Sequence, residues 1–457
     1  MKSLFIVGLL VLMSACSNND ATVSLQPSLE EGVLEDVDYN HYFDSLSQYG
    51  SKYGFQTIVP QKDYDIILSN PTDNSITATI LTYKDYVGHV SYNTTSTQEV
   101  TFKAGIPQKI ILQNLLPNSG YSYQFYYKRL GASVYSVSPQ YKFSTTQYEG
   151  TTFSFAIIAD SHLDENCDTS IYKATLSNVQ NESNAFIVDL GDTFMTDKYG
   201  KQTYSYAYGQ YLAQRYYFGS ICHSLPLFFV QGNHDGETGE KEAGMTAWSK
   251  QIREKFFPNP VSDNYYAWNW GNALMIVLDP FTFTPQQGGK DYWQRTLGDT
   301  QYHWLETTLR NSNKKYKFVF IHNLVGGLDN DGQARGGAEV APYWEWGGLN
   351  VDGSDEFTQN RSWNEPIHAL LKKYGVQIVF HGHDHLFAKQ EFDGIIYQCV
   401  QQPGLKHYEN QTYGNTFGYK DGIFNYYPGH IKVTISPSGA KVDYISFKNT
   451  ILYSYSL

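Results

Sequence analysis

Cysteine is scarce, four in 457 residues. With Cys16 set aside in an N-terminal leader, Cys167, Cys222 and Cys399 remain, too few for a disulfide framework and able to form one bridge at most. They read as core residues or a single pair, and none has the neighbours of a catalytic thiol. Long apolar runs are also missing. The run from Leu4 to Met13 is too short to span a bilayer, and nothing later is long and apolar enough. Positive charge is in deficit, 33 Lys and Arg against 45 Asp and Glu, net −12. That excludes a protein that tracks nucleic-acid backbones through a basic surface, so any phosphate recognition is local. In contrast, Tyr is abundant, 39 residues, a composition that suits β-rich, hydrogen-bonded extracellular surfaces.

Lys2 ahead of the short apolar run, with small residues after it, predicts an export signal over residues 1–15. Met13-Ser14-Ala15-Cys16 resembles a bacterial lipobox, with Met13 in place of the commoner Leu. The resemblance implies lipidation at Cys16. Ser17 after it implies anchoring at the outer membrane of a Gram-negative cell, on its periplasmic or surface side, with no other membrane contact. Residues 16–45 read as a tether. The stretch from Ser17 to Asp36, rich in Asn, Asp, Glu and Ser, has too little apolar surface to order itself.

Residues 46–148 are expected to form an all-β sandwich. From Ile66 to Thr146 come short alternating runs, Ser75–Tyr83, Glu99–Phe102, Lys109–Leu112 and Tyr121–Lys128, separated by Asn, Gly and Pro. Leu115–Tyr123 resembles the corner of a fibronectin type III domain, with Tyr121 the residue whose hydroxyl bonds back to nearby backbone. Residues 151–450 alternate strand-like and helical segments. Thr169–Gln180 and Asp299–Arg310 read as helices, the second from the spacing of Trp304, Leu305 and Leu309. That alternation implies a layered α/β core. Two runs around Pro437-Ser438-Gly439 predict a hairpin that closes a sheet.

Five polar segments each follow an apolar run: Asp160-x-His162, Gly191-Asp192, Gly232-Asn233-His234-Asp235, His322 and Gly382-His383-Asp384-His385. Buried parallel strands read as continuous Val, Ile and Phe, and ligands bind just outside their carboxyl ends. Taken singly, such pairs are ordinary turn or cap residues. In combination they offer carboxylate, amide and imidazole donors, the set a two-metal site needs.

In their order these motifs resemble the calcineurin-like metallophosphoesterase superfamily, and the sandwich in front resembles its purple-acid-phosphatase-like branch, as does the run Val319-Phe320-Ile321-His322. The resemblance implies a fibronectin type III-like sandwich followed by an α/β/β/α domain, two sheets flanked by helices. It implies two divalent cations, Mn, Zn or Fe. One takes Asp160, His162, Asp192 and His385; the other takes Asn233, His322 and His383, with Asp192 shared. Charge supports such a mixture: two divalent ions, two ligand carboxylates and a bridging hydroxide leave about +1, still able to attract a phosphate. The implied reaction is hydrolysis of a phosphomonoester by that hydroxide, with phosphodiesterase or nucleotidase action as the nearest alternative. A binding protein for surface glycans with a vestigial metal site is the alternative from a different class.

His234 is the candidate to bind substrate beside Asn233 and to protonate the leaving group, with Asp235 expected to hold its imidazole. His381 is expected to end its strand and pack behind the ligands. The purple enzymes place a metal-binding Tyr at G-D-x-x-Y; here that position is Met195, and His162 stands in for it. That implies ions without the ferric charge-transfer colour. Residues 326–349, too rich in Gly and Trp for a helix, read either as a substrate lid or as a packed surface loop. In the lid reading Arg335 clamps phosphate and the aromatics stack on the leaving group.

Overall fold

The computed structural model describes residues 54–60, 62–199, 204–236, 244–284, 292–327 and 335–457. The leader, the lipidation candidate Cys16 and the tether lie outside these residues.

Two small sheets form the N-terminal sandwich. One holds the strands Tyr64–Ser69, Ile76–Thr82 and Gln108–Leu112. The other is built around the antiparallel pair Tyr86–Tyr92 and Gly120–Lys128. Ile66, Leu68, Ile80, Val90, Phe102, Tyr123 and Phe125 are buried between them. The Tyr121 hydroxyl accepts the Leu116 N–H at 2.6 Å, as the corner resemblance implies.

A sandwich strand with one wet face alternates in burial, yet all seven residues of Ile76–Thr82 are buried. The cause is a second contact: the face carrying Leu81 and Ile67 packs into the core of the following unit. Arg215, from the helix Tyr204–Phe218, enters this seam with its side chain fully buried. Its Nε donates to Asp65 at 2.5 Å, Nη1 to the Phe256 carbonyl and Nη2 to the Thr79 carbonyl, both at 2.8 Å. Tyr83 donates its hydroxyl to the same Asp65 at 2.7 Å. Tyr123 reaches the His223 carbonyl at 2.6 Å. The two units are therefore joined by apolar burial and by a buried ion pair with its hydrogen bonds largely satisfied.

The second unit is two stacked sheets. The first has the order Leu227–Phe229, Asn184–Asp189, Phe153–Ile158, Gly429–Ser436, Gly439–Ser446, Ile451–Ser456. Its first three strands run parallel. The second has seven strands, with Ala273–Val277, Tyr316–Phe320, Ile378–His381 and Ile395–Cys399 parallel at its centre. Phe155, Ile157, Val188, Phe228, Phe318, Phe320 and Phe380 fill the space between the sheets. Helices Thr169–Asn181, Tyr204–Phe218 and Met245–Phe256 cover the first sheet, and Gly298–Arg310 with Ile367–Lys373 covers the second. The layers are α/β/β/α. Asp168 caps the first of these helices, accepting from the N–H groups of Ser170 and Ile171.

The C-terminal hairpin forms as expected, but it pairs antiparallel with the central strand Phe153–Ile158. The sheet then continues through Ile451–Ser456, past the expected boundary at 450. All three described cysteines are free and buried. Among the described residues no helix is long and apolar enough to cross a membrane.

Candidate metal centre

Each of the five motifs sits at the carboxyl end of the strand it follows, because a parallel sheet aligns those ends along one rim. Asp160, Asp192, His383 and His385 all adopt positive φ, between 55° and 73°. A non-glycine residue in that region costs of order 1–3 kcal/mol and persists only where its surroundings enforce it. Here the enforcement is visible. Asp160 accepts the His383 N–H at 2.9 Å while its own N–H donates to the Gly191 carbonyl at 2.9 Å. Gly191 and Gly232 allow two loops to touch: a Cβ on Gly232 would lie 2.1 Å from the Asp192 nitrogen.

Donor atoms gather in two groups, Asp160, His162 and His385, and Asp192, His322 and His383, each set lying within 4.8 Å. The groups adjoin. Asp160 Oδ1 is 3.6 Å from His385 Nε2, 3.9 Å from His162 Nε2 and 4.0 Å from His322 Nε2. His322 Nε2 lies 3.1 Å from Asp192 Oδ2 and 3.0 Å from Asn233 Oδ1. All seven residues expected as ligands thus converge on one place. Its donors suit divalent ions. His322 donates from Nδ1 to the Leu190 carbonyl at 2.8 Å, which leaves the Nε2 lone pair turned inward. His162 Nε2 and His383 Nδ1 are buried without a hydrogen-bond partner, which leaves two ring nitrogens that no protein group satisfies and that a cation could take up.

Burial pushes the Asp160 carboxyl up to about 7, against the pull of His322. Asp192, although buried, is held well below the usual carboxylate range by His322 and His234. Two carboxylates in one dry site diverge in this way because they repel each other and only one is well compensated. Burial works against a charge on His162, but the Asp164 carboxylate 3.2 Å from its Nδ1 raises it to about 9.

Around the candidate ligands the structure corrects one expectation and decides between two others. Asp235 does not hold His234: its carboxylate accepts four backbone N–H groups, from Asp192, Thr193, Phe194 and Gly232, at 2.7–3.0 Å. As the next residue after His234 in a tight turn, it points to the opposite side of the loop and ties the Asp192 loop to the Asn233 loop. The carboxylate facing His234 is Asp197, 3.1 Å from Nδ1. For the two indoles of residues 344–346 the packed reading holds. Trp344 to Gly347 forms one helical turn, Trp346 is fully buried with its indole donating to Tyr397, and Trp344 stacks on Tyr292. Arg335 does stand beside the ligands, its Nη2 2.6 Å from His383 Nε2. Met195 is buried in the core under the first sheet, and His381 ends its strand fully enclosed beside Gly336.

Sequence reasoning passed over Asp164, Asp197 and Asp384. Each lies within five residues of a ligand, and the only signal was a carboxylate close to a ligand imidazole or loop.

A family model described as calcineurin-like phosphoesterase matches residues 153–387. Probable inactive purple acid phosphatase 27 of Arabidopsis thaliana is 23% identical over 358 residues, 73% of this chain and 49% of that protein. Probable inactive purple acid phosphatase 24 of the same plant is 24% identical, over 72% of this chain and 48% of its own length. The chain therefore spans about half the length of these curated relatives. The solved structure of PhoD shares the fold, with a TM-score of 0.61 at 14% identity, covering 87% of this chain and 90% of that one.

Proposed function

The chain belongs to the calcineurin-like phosphoesterase family, and on that premise we propose that it is a metal-dependent hydrolase of phosphomonoesters. The observation that carries this reading is the convergence of Asp160, His162, Asp192, Asn233, His322, His383 and His385 at one strand rim. Both curated relatives bear the word inactive in their names. In this chain every expected ligand position is filled by a competent donor. Two divalent ions held there would neutralise phosphate charge and bring a shared water towards neutral acidity.

The protein's own groups do the rest. Asp192 is fixed by accepting the His234 N–H at 2.7 Å, so the shared carboxylate and the candidate acid keep a constant spacing. His234 has 23% of its side chain exposed, and its Nδ1 is held by Asp197, so its Nε2 is the atom presented outward. That is the geometry of a proton donor to a leaving oxygen. Asn233 contributes an uncharged oxygen, which keeps the site from becoming too anionic for phosphate. The Cys16 motif supports an exported, lipid-anchored form of this enzyme; palmitate labelling that persists in Cys16→Ala would overturn that part.

Metal analysis of purified protein, paired with a panel of phosphate mono- and diesters, tests the central reading. Two equivalents of cation per chain and chelator-sensitive hydrolysis that favours monoesters are expected. Turnover that survives complete chelation, or a preference for diesters, would refute it.

A further inference from the structure

Asp384 stands between the ligands His383 and His385 in sequence, yet it belongs to neither donor group. It is fully buried. Its Oδ2 accepts the Tyr419 hydroxyl at 2.7 Å, and its Oδ1 lies 3.1 Å from Arg335 Nε. The guanidinium also lies 4.1 Å over the Phe417 ring, and the Arg335 N–H donates to the Phe417 carbonyl. The guanidinium thus lies against a carboxylate on one edge and a ring on one face, while its Nε donates to His383 Nε2 at 3.3 Å. Nη2 meets His383 as well, at Nε2 and more weakly at its carbonyl, and 18% of the side chain remains exposed.

A neutral imidazole carries one N–H. While His383 Nε2 accepts from Arg335, the ring proton sits on Nδ1. A ring that offers Nδ1 to a cation carries its proton on Nε2, and there it faces a guanidinium that has donors only. The two states exclude each other. Nε and Nη2 both lose His383 in that state; because the Asp384 carboxylate, whose Oδ1 has no hydrogen bond of its own, and the Phe417 ring lie against the guanidinium, the consequence is a swing of the whole planar group about the Asp384 contact rather than departure of the side chain.

Resting on the phosphoesterase reading above, we propose that Asp384 is a positioning residue that pins Arg335 so that its Nη atoms turn from His383 onto the phosphoryl oxygens of the substrate. This clamp selects the dianion of a phosphomonoester over the monoanion of a diester. A planar fork can donate to two unesterified oxygens of either ester, so the selection rests on charge, which is greater on the monoester dianion. Tyr419 and Phe417 serve the same end by fixing Asp384 and the guanidinium plane.

The test uses metal-loaded full-length protein with 4-nitrophenyl phosphate, bis(4-nitrophenyl) phosphate and inorganic phosphate, the last by calorimetry. Arg335→Ala is expected to raise the monoester KM and the phosphate Kd by about tenfold or more, while kcat falls less than about threefold and the diester KM less than about twofold. Asp384→Asn is expected to reproduce about half of that effect on a logarithmic scale, with the double variant no worse than Arg335→Ala alone. Arg335→Lys keeps the charge but neither the planar fork nor the Nε that lies against Asp384, and is expected to behave like Asp384→Asn. It carries the test should Asp384→Asn not fold. A phosphate Kd indifferent to Arg335, a lysine variant equal to wild type, or an Asp384→Asn that loses metal or kcat while sparing KM would each overturn the proposal. The two readings fail separately. Phosphate binding that depends on Arg335 without turnover of either ester sinks the hydrolase and leaves the clamp; turnover with binding independent of Arg335 does the reverse.

Discussion

Asp197→Asn isolates the assignment of His234 as the group that protonates the leaving oxygen. The two Asp197 oxygens lie 3.1 and 3.2 Å from His234 Nδ1, and the carboxylate is fully buried. A unit charge pair at that distance is worth about 5 kcal/mol at an effective dielectric near 20. Three features reduce this. Lys198 Nζ shares the carboxylate at 3.6 Å, His234 is partly exposed, and Asp197 has already been desolvated. A charge-assisted hydrogen bond then nets about 1.5–3 kcal/mol. Asparagine keeps an acceptor oxygen for the imidazole but removes its charge. The expected loss is therefore about 10- to 100-fold in kcat for an alkyl phosphate, whose leaving alkoxide needs a proton. For an aryl ester with a stable phenolate the loss should stay below about threefold. The assay is kcat across a series of monoesters of rising leaving-group basicity, with metal content measured in parallel. An equal loss across the series, or a loss that tracks missing metal, would refute the role given to this pair.

Asp65→Ala strands the Arg215 cation in the seam between sandwich and catalytic unit, where only carbonyls remain to receive it. Breaking a buried pair on one side costs about 3–5 kcal/mol, so calorimetry should show a Tm several degrees lower; an unchanged Tm would count against the seam. Tyr121→Phe removes the acceptor of the Leu116 N–H. It should cost about 1 kcal/mol in urea unfolding and leave bound metal at the wild-type level. Gly232→Ala forces the Asp192 loop aside, since its Cβ would overlap the Asp192 nitrogen and lie 2.4 Å from Oδ1. If two cations bind as proposed, the one assigned to Asp192, His322 and His383 should be lost first, so stoichiometry by elemental analysis should fall to about one per chain. Full occupancy in that variant would show that the close approach of the two loops is dispensable.

How much of this was legible in the residues varies with the kind of interaction. Strand runs such as Phe155–Ile158 and Phe318–Phe320 are read directly because burial on both faces leaves only apolar side chains, and the candidate ligands announce themselves as polar residues where those runs stop. The Tyr121 corner is local, five residues from its partner, so a short motif suffices to specify it. The partner of His234 was misassigned because adjacency in sequence favoured Asp235. In a turn, consecutive side chains face opposite sides, and the carboxylate that arrives is Asp197, 37 residues away. The Trp344 segment stayed open between lid and packed loop for a related reason. Glycine and tryptophan in an irregular stretch signal a loop, but not whether the indoles point to solvent or into the core.

By itself the chain determined the strands, their ends, and the donor chemistry placed at each, since all of these follow from side-chain type and short-range pattern. Tertiary structure alone decided which of the nearby carboxylates serve the ligands and which serve the scaffold. It set the four ligand residues at positive φ, which only packing of one loop on another can enforce. It also joined the sandwich to the catalytic unit through Asp65 and Arg215, residues 150 positions apart. The physical reason is range: hydrophobic periodicity and turn chemistry act over a few residues, whereas the direction in which a buried charge points is fixed by whichever segment folds against it.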